Sequence, residues 1–573
     1  MKMNSRKKRR NADGFMSGVL VLSLSTVIVK VIGLAYKIPM ISYLGAEGMG
    51  YFNSAYEIYA MLCVIATAGL PVALSLLISA NRQSGIEGAV RRIDRSATAV
   101  FWGLGSIGMM FLLFFARPIA KAIGNEDAFF CILAIAPALF FVSVSSAVRG
   151  YFQGFRRMLP TAISQLIEAL GKLVFGVCFA SLALKQGRSI PVVAASAILG
   201  LSLGTLLSAG YLWGTKAIFQ RTKREEASSL SSHQKTDGMK TLLRIAFPIT
   251  LSAAVLSVTR LVDMALIMRR LQNIGYSVSE ANEIYGAYTT LAVPVFSLIP
   301  SLIAPISMAL VPQLSAAIAR KSTEDQADLA DRSIRLTILL AMPASMGIAV
   351  YASPILSILF SREAEAIQIA APLLSVLGLS ILFSGLITTT NAILQSYRQT
   401  VKPIVSMSIG ALVKIIFAYF LIGNPSVGVY GAPISTLLCD LTVTCMNLRF
   451  LGMAIPKSRR SKGVRQTYYK PLAASLLAIL SSIAVYLPLY HANVGMVVSL
   501  FAAIFVAGVT YAVFAVVLKI ITSEDVAMLP MGEKILSRWR ARSMDKIKNQ
   551  KEKDVKNYDD QRKNSNVDDK NTI

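Results

Sequence analysis

Charged side chains occur deep inside several long apolar segments of this sequence. A charge near the centre of a bilayer costs about 2.5–3.5 kcal/mol on insertion scales, so each one needs a partner or a water-filled cavity. The first segment carries Lys30 and Lys37 nearly two helical turns apart, which places them on one helix face. Lys30 lies too deep for its ammonium group to reach the membrane surface easily. We interpret it as a cavity residue that contacts substrate, with structural pairing as the alternative.

Acidic residues in other apolar segments are either counter-ions of these bases or cavity residues themselves. Glu57 lies in the second segment, and Asp440 lies in the twelfth with no basic residue close to it in sequence. Arg260 and Asp263 are spaced i, i+3 in the seventh segment, which allows an ion pair on one helix face as the structural alternative to a cavity role. For the three acids both roles remain open.

The fifth and eleventh segments share a lysine. Glu168 and Lys172 have the i, i+4 spacing and the order that favour an intrahelical ion pair, whereas the eleventh segment keeps Lys414 but has Gly410 in place of the acid. A partly basic cavity of this kind suits a phosphate or pyrophosphate group. The predicted cavity residues are Lys30, Lys37, Glu57, Lys172, Arg260, Asp263, Lys414 and Asp440.

The segments that position these residues are long enough to cross a membrane as helices. The chain has 573 residues, of which 54% are hydrophobic and only 16% charged, and its mean hydropathy is +0.58. Its apolar blocks reach the roughly 20 residues that a transmembrane helix needs and lack the alternation of a β-barrel. The predicted spans are 15–43, 51–80, 97–115, 129–148, 160–184, 191–213, 241–268, 284–311, 336–360, 367–394, 401–422, 430–451, 471–490 and 494–518.

An internal repeat relates the first six spans to the next six. QGFR at 153–156 recurs as QSYR at 395–398, and the same register places Lys172 against Lys414. Because the unit has an even number of helices, both copies enter the membrane from the same side and are related by a pseudo-two-fold axis along the membrane normal. The fold class is therefore an all-α membrane protein of about fourteen helices, with two six-helix lobes and two C-terminal helices.

Proline and glycine within the spans are candidate hinges. Proline removes a helix hydrogen bond and allows a bend, although prolines are also commoner in membrane helices generally. Both copies of the second repeat helix carry one, Pro71 and Pro305. With Pro39 and Gly69, they are the predicted gating residues.

The loops predicted on the two sides of the membrane differ in their content of basic residues. The formal net charge is +27, and with a cytoplasmic N-terminus the internal loops hold far more lysine and arginine than the external ones, as the positive-inside rule requires. We therefore expect both termini to be cytoplasmic and the basic residues to face anionic lipid rather than nucleic acid. The predicted regions are a basic N-terminus (1–14), the first lobe (15–213), a linker (214–240), the second lobe (241–451), a basic loop (452–470), helices 13 and 14 (471–518) and a charged, largely disordered tail (519–573).

No enzymatic or metal-binding pattern stands out. The two histidines are isolated, and the sequence has no nucleophile elbow, phosphate loop or nucleotide-binding fingerprint. The five cysteines lie in apolar blocks without metal-ligand spacing. We expect no enzyme activity, no cofactor and no metal site.

Four stretches resemble the oligosaccharide-flippase branch of the multidrug/oligosaccharidyl-lipid/polysaccharide exporter superfamily. They are STVIVKVIGLAYKIP at 25–39, YLGAEGMGY at 43–51, ATAGLP at 66–71 and RGYFQG at 149–154. The pattern is most similar to the stage V sporulation protein B group, relatives of the lipid II flippases. The resemblance implies a V-shaped two-lobed bundle, alternating access and a cavity position for Lys30. The family's cavity arginine in the second helix has no counterpart in 60–64.

The resemblance also implies the substrate and the location. It implies export of an undecaprenyl-pyrophosphate-linked saccharide, such as a peptidoglycan precursor, across the bacterial plasma membrane, with helices 13 and 14 forming a groove for the lipid tail. The expected partners are this substrate and membrane lipids, with H⁺ or Na⁺ as a coupling ion. The alternative is a cation-coupled multidrug exporter of the same fold, which would use the deep carboxylates Glu57, Asp263 and Asp440.

Overall fold

The computed structural model describes residues 2–83, 87–155, 157–226, 238–455 and 468–518, and within these ranges the chain is helical without a β-strand. A helix satisfies its backbone hydrogen bonds internally, which lipid demands. The α-helices of these ranges are α1 Lys2–Thr67, α2 Gly69–Gln83, α3 Glu87–Ala122, α4 Phe129–Gly154, α5 Leu159–Lys185, α6 Ile190–Glu226, α7 Gly238–Asn273, α8 Val278–Ala287, α9 Val293–Ala319, α10 Thr323–Val350, α11 Ala352–Leu359, α12 Ala364–Ser396, α13 Val401–Ile422, α14 Gly431–Ala454, α15 Lys470–His491 and α16 Met496–Val517.

Helix α1 consists of two arms that meet at a sharp bend at Gly45. Its φ of 66° lies in the left-handed region, which glycine adopts without steric cost. Lys37 on one arm and Asn53 on the other both hydrogen-bond Thr289, so the arms lie side by side. They form the first two predicted spans, and the predicted loop 44–50 is a bend in helical backbone. We call this end of the bundle the Gly45 end.

The helices pack as two lobes with matching contacts. In the first lobe (α1–α6), α6 packs on α4 and α5, and in the second lobe (α7–α14), α14 packs on α12 and α13. α1 contacts α5 as α7 contacts α13. The same order of contacts in both lobes is what the sequence repeat predicts, and the two-lobed fold is confirmed. α15 and α16 pack on each other and extend the second lobe through α10 and α11.

Twelve stretches of the described ranges are long and apolar enough to cross a membrane. The first, Ile28–Asn81, overlaps the predicted span 15–43 and contains the predicted span 51–80, because it includes parts of both α1 arms and most of α2. The seventh predicted span lies in α7, which is not one of the twelve. Each of the other predicted spans overlaps one of the remaining stretches.

The structure corrects two predicted boundaries. The ninth span, 336–360, is not one helix, because α10 ends at Val350 and the short α11 begins after Tyr351. The predicted linker 214–240 begins later than expected, since α6 continues to Glu226. Residues 227–237 of that linker, 456–467 of the basic loop and the whole tail 519–573 lie outside the described residues.

The two lobes are in backbone contact at two levels. At the Gly45 end a Cβ on Gly286 would overlap the carbonyl oxygen of Ala46. At the second level a Cβ on Gly69, the first residue of α2, would overlap the carbonyl oxygen of Ala246 in α7. Glycine permits both approaches because it has no side chain. The helix segments between these levels carry most of the predicted cavity residues.

Paired amides add to the contact at the Gly45 end. Asn125 and Asn282 are both fully buried. Their side chains exchange hydrogen bonds of 2.7 and 3.1 Å between the lobes. Asn125 also donates to the Ser54 hydroxyl at 3.1 Å. Because buried amides are costly to leave unpaired, this cluster stabilises the closed arrangement of the Gly45 end.

Candidate functional site

The two lysines of the first α1 arm reach across to the second lobe. The Lys30 Nζ donates to the hydroxyl of Ser301 in α9, and the Lys30 side chain remains exposed. The Lys37 Nζ donates to the backbone carbonyl of Thr289 at 2.9 Å. Thr289 lies in a π-helical turn, Tyr288–Ala292, that joins α8 to α9. Both ammonium groups therefore bond neutral oxygens between the lobes rather than carboxylates.

Arg260 faces Glu57 instead of its sequence neighbour. The Arg260 Nε lies 4.0 Å from the Glu57 Oε2, which joins the two lobes by charge. Arg260 also donates to the Ser257 hydroxyl at 3.3 Å, and its side chain is 57% exposed. The alternative of a pair between Arg260 and Asp263 is therefore wrong, because Asp263 has a partner on another helix.

Lys172 lies over aromatic rings of both α1 arms. Its Nζ is 4.7 Å from the ring centroid of Tyr36, 5.5 Å from that of Phe52 and 5.0 Å from that of Tyr56. An ammonium group over aromatic faces is stabilised by cation–π attraction, worth about 0.5–2 kcal/mol depending on its solvation. The ring positions explain why Lys172 points toward α1 rather than along α5.

The predicted ion pair between Glu168 and Lys172 is wrong. Glu168 instead accepts from Arg149 of α4, with the Nη2 and Oε2 atoms 2.7 Å apart. Arg149 also donates to the hydroxyls of Ser164 and Ser208 at 3.0 and 3.2 Å. Arg149 lies within α4, which continues to Gly154, beyond the end of the predicted span 129–148. Because Glu168 pairs with Arg149 on another helix, it does not pair with Lys172 one helical turn away.

The second lobe neutralises its own lysine. The Lys414 Nζ lies 2.8 Å from the Asp263 Oδ2, and both side chains are only 13% exposed. Asp263 Oδ1 and Asp440 Oδ2 are buried without a hydrogen-bond partner in the described part of the chain. Lys414 therefore serves as a counter-ion, while Asp440 retains an unused acceptor.

Breaking the pair in the second lobe is expected to destabilise the fold strongly. Asp263→Asn would leave the Lys414 ammonium buried without its counter-charge, a loss of about 3–5 kcal/mol. The double substitution Asp263→Asn with Lys414→Met should recover most of that stability, because no buried charge remains unpaired. Thermal unfolding of the purified protein measures both. Asp328→Asn, which removes a carboxylate one turn from Arg332 in α10, is the control. Equal losses in the single and double variants would contradict the counter-ion role.

Sequence reasoning missed the neutral partners of the site. The first α1 arm is held against the second lobe by Ser301 and Thr289, which accept from Lys30 and Lys37. The second arm is held by Asn53, which donates to the Thr289 and Thr290 hydroxyls at 2.9 and 2.8 Å. A signal was present in the sequence, since an asparagine inside an apolar span needs a partner. It could not show which helix supplies that partner.

The predicted gating residues lie at different places. Gly69 forms the second lobe contact, and Pro71 follows it in α2, packed near Gly150 of α4. Pro39 lies in the first α1 arm. α9 continues through Pro305 without interruption. Gly69 stands at an inter-lobe contact, and the gating role of the four residues stays a proposal.

The charges of the site are distributed unequally. Among the described residues no carboxylate lies within ion-pair distance of Lys30, Lys37 or Lys172, whereas Glu57 and Asp263 each face a cation. The first lobe thus presents positive charge that its own structure does not neutralise. No cluster of three His, Cys, Asp or Glu side chains that could hold a metal ion occurs within those ranges. The arrangement suits a ligand with a concentrated negative charge, such as a phosphate.

Comparison with known proteins identifies the family. The family profile described as "Polysaccharide biosynthesis protein" matches residues 15–318, which is more than half of the chain. This chain belongs to that family. The MatE profile also matches this polysaccharide biosynthesis family member, over residues 278–420. The resemblance read from the sequence is thereby confirmed.

Two curated proteins of Bacillus subtilis (strain 168) are similar to this family member. Stage V sporulation protein B is 23% identical over 530 residues, which cover 91% of this chain and 99% of that protein. Lipid II flippase MurJ is 25% identical over 420 residues, which cover 70% of this chain and 76% of that protein. The first similarity spans nearly the whole of both chains.

Two solved structures share the fold. Lipid II flippase MurJ in an inward closed conformation superposes with a TM-score of 0.65 at 16% identity, over 87% of this chain and 99% of that one. An inward-facing multidrug resistance MATE family transporter of the MOP superfamily gives 0.63 at 15% identity, over 76% and 98%. The family member therefore has the two-lobed fold of these transporters and is a multi-pass membrane protein.

Proposed function

We propose that this protein is a flippase that moves an undecaprenyl-pyrophosphate-linked saccharide, such as lipid II, across the bacterial plasma membrane. The observation that carries the proposal is the group of three lysines, Lys30, Lys37 and Lys172, that have no carboxylate partner within the described ranges. Charge-assisted hydrogen bonds from ammonium groups to phosphate oxygens are short and strong. The polysaccharide family and the named flippase relatives support the same class of substrate.

Transport by this site requires the lobes to separate alternately at their two levels of contact. A pyrophosphate cannot cross hydrocarbon unaided, because an uncompensated charge there costs several kcal/mol. Lysines placed between the levels lower that cost while the lipid tail stays in the membrane. The protein then performs no covalent chemistry, and an ion gradient of H⁺ or Na⁺ supplies the work.

The carboxylates favour the flippase over the cation-coupled multidrug exporter. A cationic drug needs acids that are free to receive it, but Glu57 faces Arg260 and Asp263 is paired with Lys414. Glu57, Asp263 and Asp440 each keep a buried oxygen without a hydrogen-bond partner in the described part of the chain, but of the three only Asp440 has no cation within ion-pair distance there. The fold shared with the MATE family transporter is compatible with both functions. The preference for a flippase therefore rests on the charged residues of the site.

The proposed orientation places both termini in the cytoplasm. The Gly45 end, which has few basic residues in its loops, then faces outward, and the basic loops face the anionic inner leaflet. The contact of Gly286 with Ala46 would close the outer side.

Restoring the chain to cells that lack their lipid II flippase tests the proposed function. We expect lipid II to become accessible at the outer face, measured by its cleavage or labelling from outside, and growth to recover. A variant with Lys30, Lys37 and Lys172 all changed to glutamine should express but fail in both measurements. Drug resistance conferred by the wild-type chain, without any change in lipid II exposure, would instead support the exporter.

A further inference from the structure

An open cavity of about 470 Å³, lined by both apolar and polar side chains, lies between helices of the second lobe. It is lined by residues of α7, α9, α12, α13 and α14, and its polar lining includes Ser307, Ser384, Thr388, Asn391, Gln395 and Asp440. Ligand pockets in proteins have volumes of about 300–1,000 Å³, so the space is sufficient for a small organic group. Its lining is unlike the lysine site, because it offers hydroxyls, amides and one carboxylate instead of cations.

Two of these polar groups lack strong partners. Asp440 Oδ2 is buried without a hydrogen bond in the described residues. The Asn391 Oδ1 accepts from the Asn447 amide at 2.8 Å, but in the described residues the Asn391 Nδ2 donates only to the Met407 sulfur, a weak acceptor, at 3.9 Å. Buried polar groups in native structures are normally satisfied by protein, water or ligand. This cavity therefore presents both donors and acceptors to whatever enters it.

The cavity lies beside the lysine site. Lys30 bonds Ser301, which precedes the lining residue Ala304 by about one turn of α9. Thr259, another lining residue, is the neighbour of Arg260. A phosphate that contacts Lys30 at Ser301 is therefore about one helical turn of α9 from the cavity lining.

We propose that this second-lobe cavity binds the saccharide part of the transported lipid. A saccharide carries hydroxyl donors for the Asp440 carboxylate and acceptors for the Asn391 amide, and it has no charge that would require a counter-ion. The proposal rests on the proposed function, and it divides the ligand between the lobes. Lysines of the first lobe bind the phosphates, and the cavity of the second lobe binds the saccharide.

Two probes distinguish the phosphate contacts from the sugar contacts. The full chain in lipid nanodiscs is tested for binding undecaprenyl pyrophosphate and lipid II from which the peptide has been removed, so that the second probe carries the pyrophosphate together with an uncharged saccharide. Asp440→Asn should weaken binding of the peptide-free lipid II about tenfold or more, since a hydrogen bond to a charged group is worth about 1.5–3 kcal/mol, and should leave undecaprenyl pyrophosphate unaffected. Asn391→Ala should show the same selectivity. Asp328→Asn, outside the cavity, should change neither.

The outcomes separate the two proposals. Lys30→Gln should weaken both probes; if neither probe binds the wild-type chain, the proposed function fails first. If both probes bind but Asp440→Asn weakens them equally, or weakens neither, the saccharide site is wrong. An effect of Asp440→Asn on both probes that disappears when Na⁺ is replaced by choline would also overturn it, because the carboxylate would then be a cation site. Thermal unfolding shows whether each variant is folded.

Discussion

Replacing both Lys30 and Lys37 with glutamine is expected to reduce lipid-linked saccharide transport by roughly two orders of magnitude or more. A hydrogen bond to a charged group contributes about 1.5–3 kcal/mol, and each 1.4 kcal/mol corresponds to a factor of ten. Within the described ranges both lysines donate to neutral oxygens of the second lobe, the Ser301 hydroxyl and the Thr289 carbonyl, which a phosphate would outcompete. Transport by the purified chain in liposomes, measured as accessibility of labelled lipid II to an enzyme outside, gives the rate.

Matched variants separate charge from general damage. Lys30→Arg keeps the cation and should retain most activity. Lys185→Gln removes an exposed lysine from the last turn of α5 and should have no effect. Since glutamine can still hydrogen-bond Ser301, the fold should survive, and unfolding temperature should change little. If the double glutamine variant transports as fast as wild type, the lysines do not bind the phosphate.

The inter-helix partners of the charged residues could not be predicted from spacing. Pairs at i, i+3 and i, i+4 contribute only about 0.2–0.5 kcal/mol, so a better placed partner on another helix replaces them easily. Glu168 pairs with Arg149 instead of Lys172, and Asp263 pairs with Lys414 instead of Arg260. The sequence indicates which residues are too costly to face lipid, but not which of them meet.

The helices themselves follow from composition, whereas the bends do not. Apolar length alone predicts where helices cross the membrane, and the repeat correctly predicts two equivalent lobes. Single residues decide the exceptions: the left-handed φ of Gly45 folds α1 into two arms, and the chain turns at Tyr351 between α10 and α11. Neither residue stands out in a pattern of hydrophobicity, because backbone conformation at one position leaves no periodic signal.

The repeat conserves a lysine position but not its environment. Lys172 lies over the rings of Tyr36, Phe52 and Tyr56 in the first lobe, while Lys414 faces the carboxylate of Asp263 in the second. Aromatic rings stabilise an ammonium group without cancelling its charge, whereas a carboxylate neutralises it. The difference leaves the first lobe with a lysine whose charge is free to attract anions, whereas the corresponding lysine of the second lobe is neutralised. An asymmetric ligand, charged at one end and hydroxyl-rich at the other, matches that division.

Adding a methyl group at a contact between the lobes is expected to open the protein at that contact. The substitution at one level should therefore open one end of the bundle, and the substitution at the other level should open the other end. A Cβ at Gly286 would overlap the Ala46 carbonyl, so Gly286→Ala should open the Gly45 end; Gly69→Ala, against Ala246, should open the other level. Overpacking costs about 1–3 kcal/mol, which corresponds to a shift of roughly 5- to 150-fold between the two states. Cysteine reporters in a chain without its native cysteines measure this by labelling rate, with Ser54→Cys at the Gly45 end and Leu242→Cys at the other.

Because the two substitutions should open different levels of lobe contact, the experiment distinguishes gating from a general loosening of the protein. Ser54 and Leu242 are almost inaccessible in the present arrangement, so labelling of each reports opening at its own level. Gly286→Ala should accelerate labelling of Ser54→Cys alone, and Gly69→Ala that of Leu242→Cys alone. Gly347→Ala is the control, because a Cβ there meets nothing within 4 Å. If either variant accelerated both reporters together, the lobes would be loosening or unfolding as a whole, and the two contacts could not be the alternating gates on which transport by this fold depends.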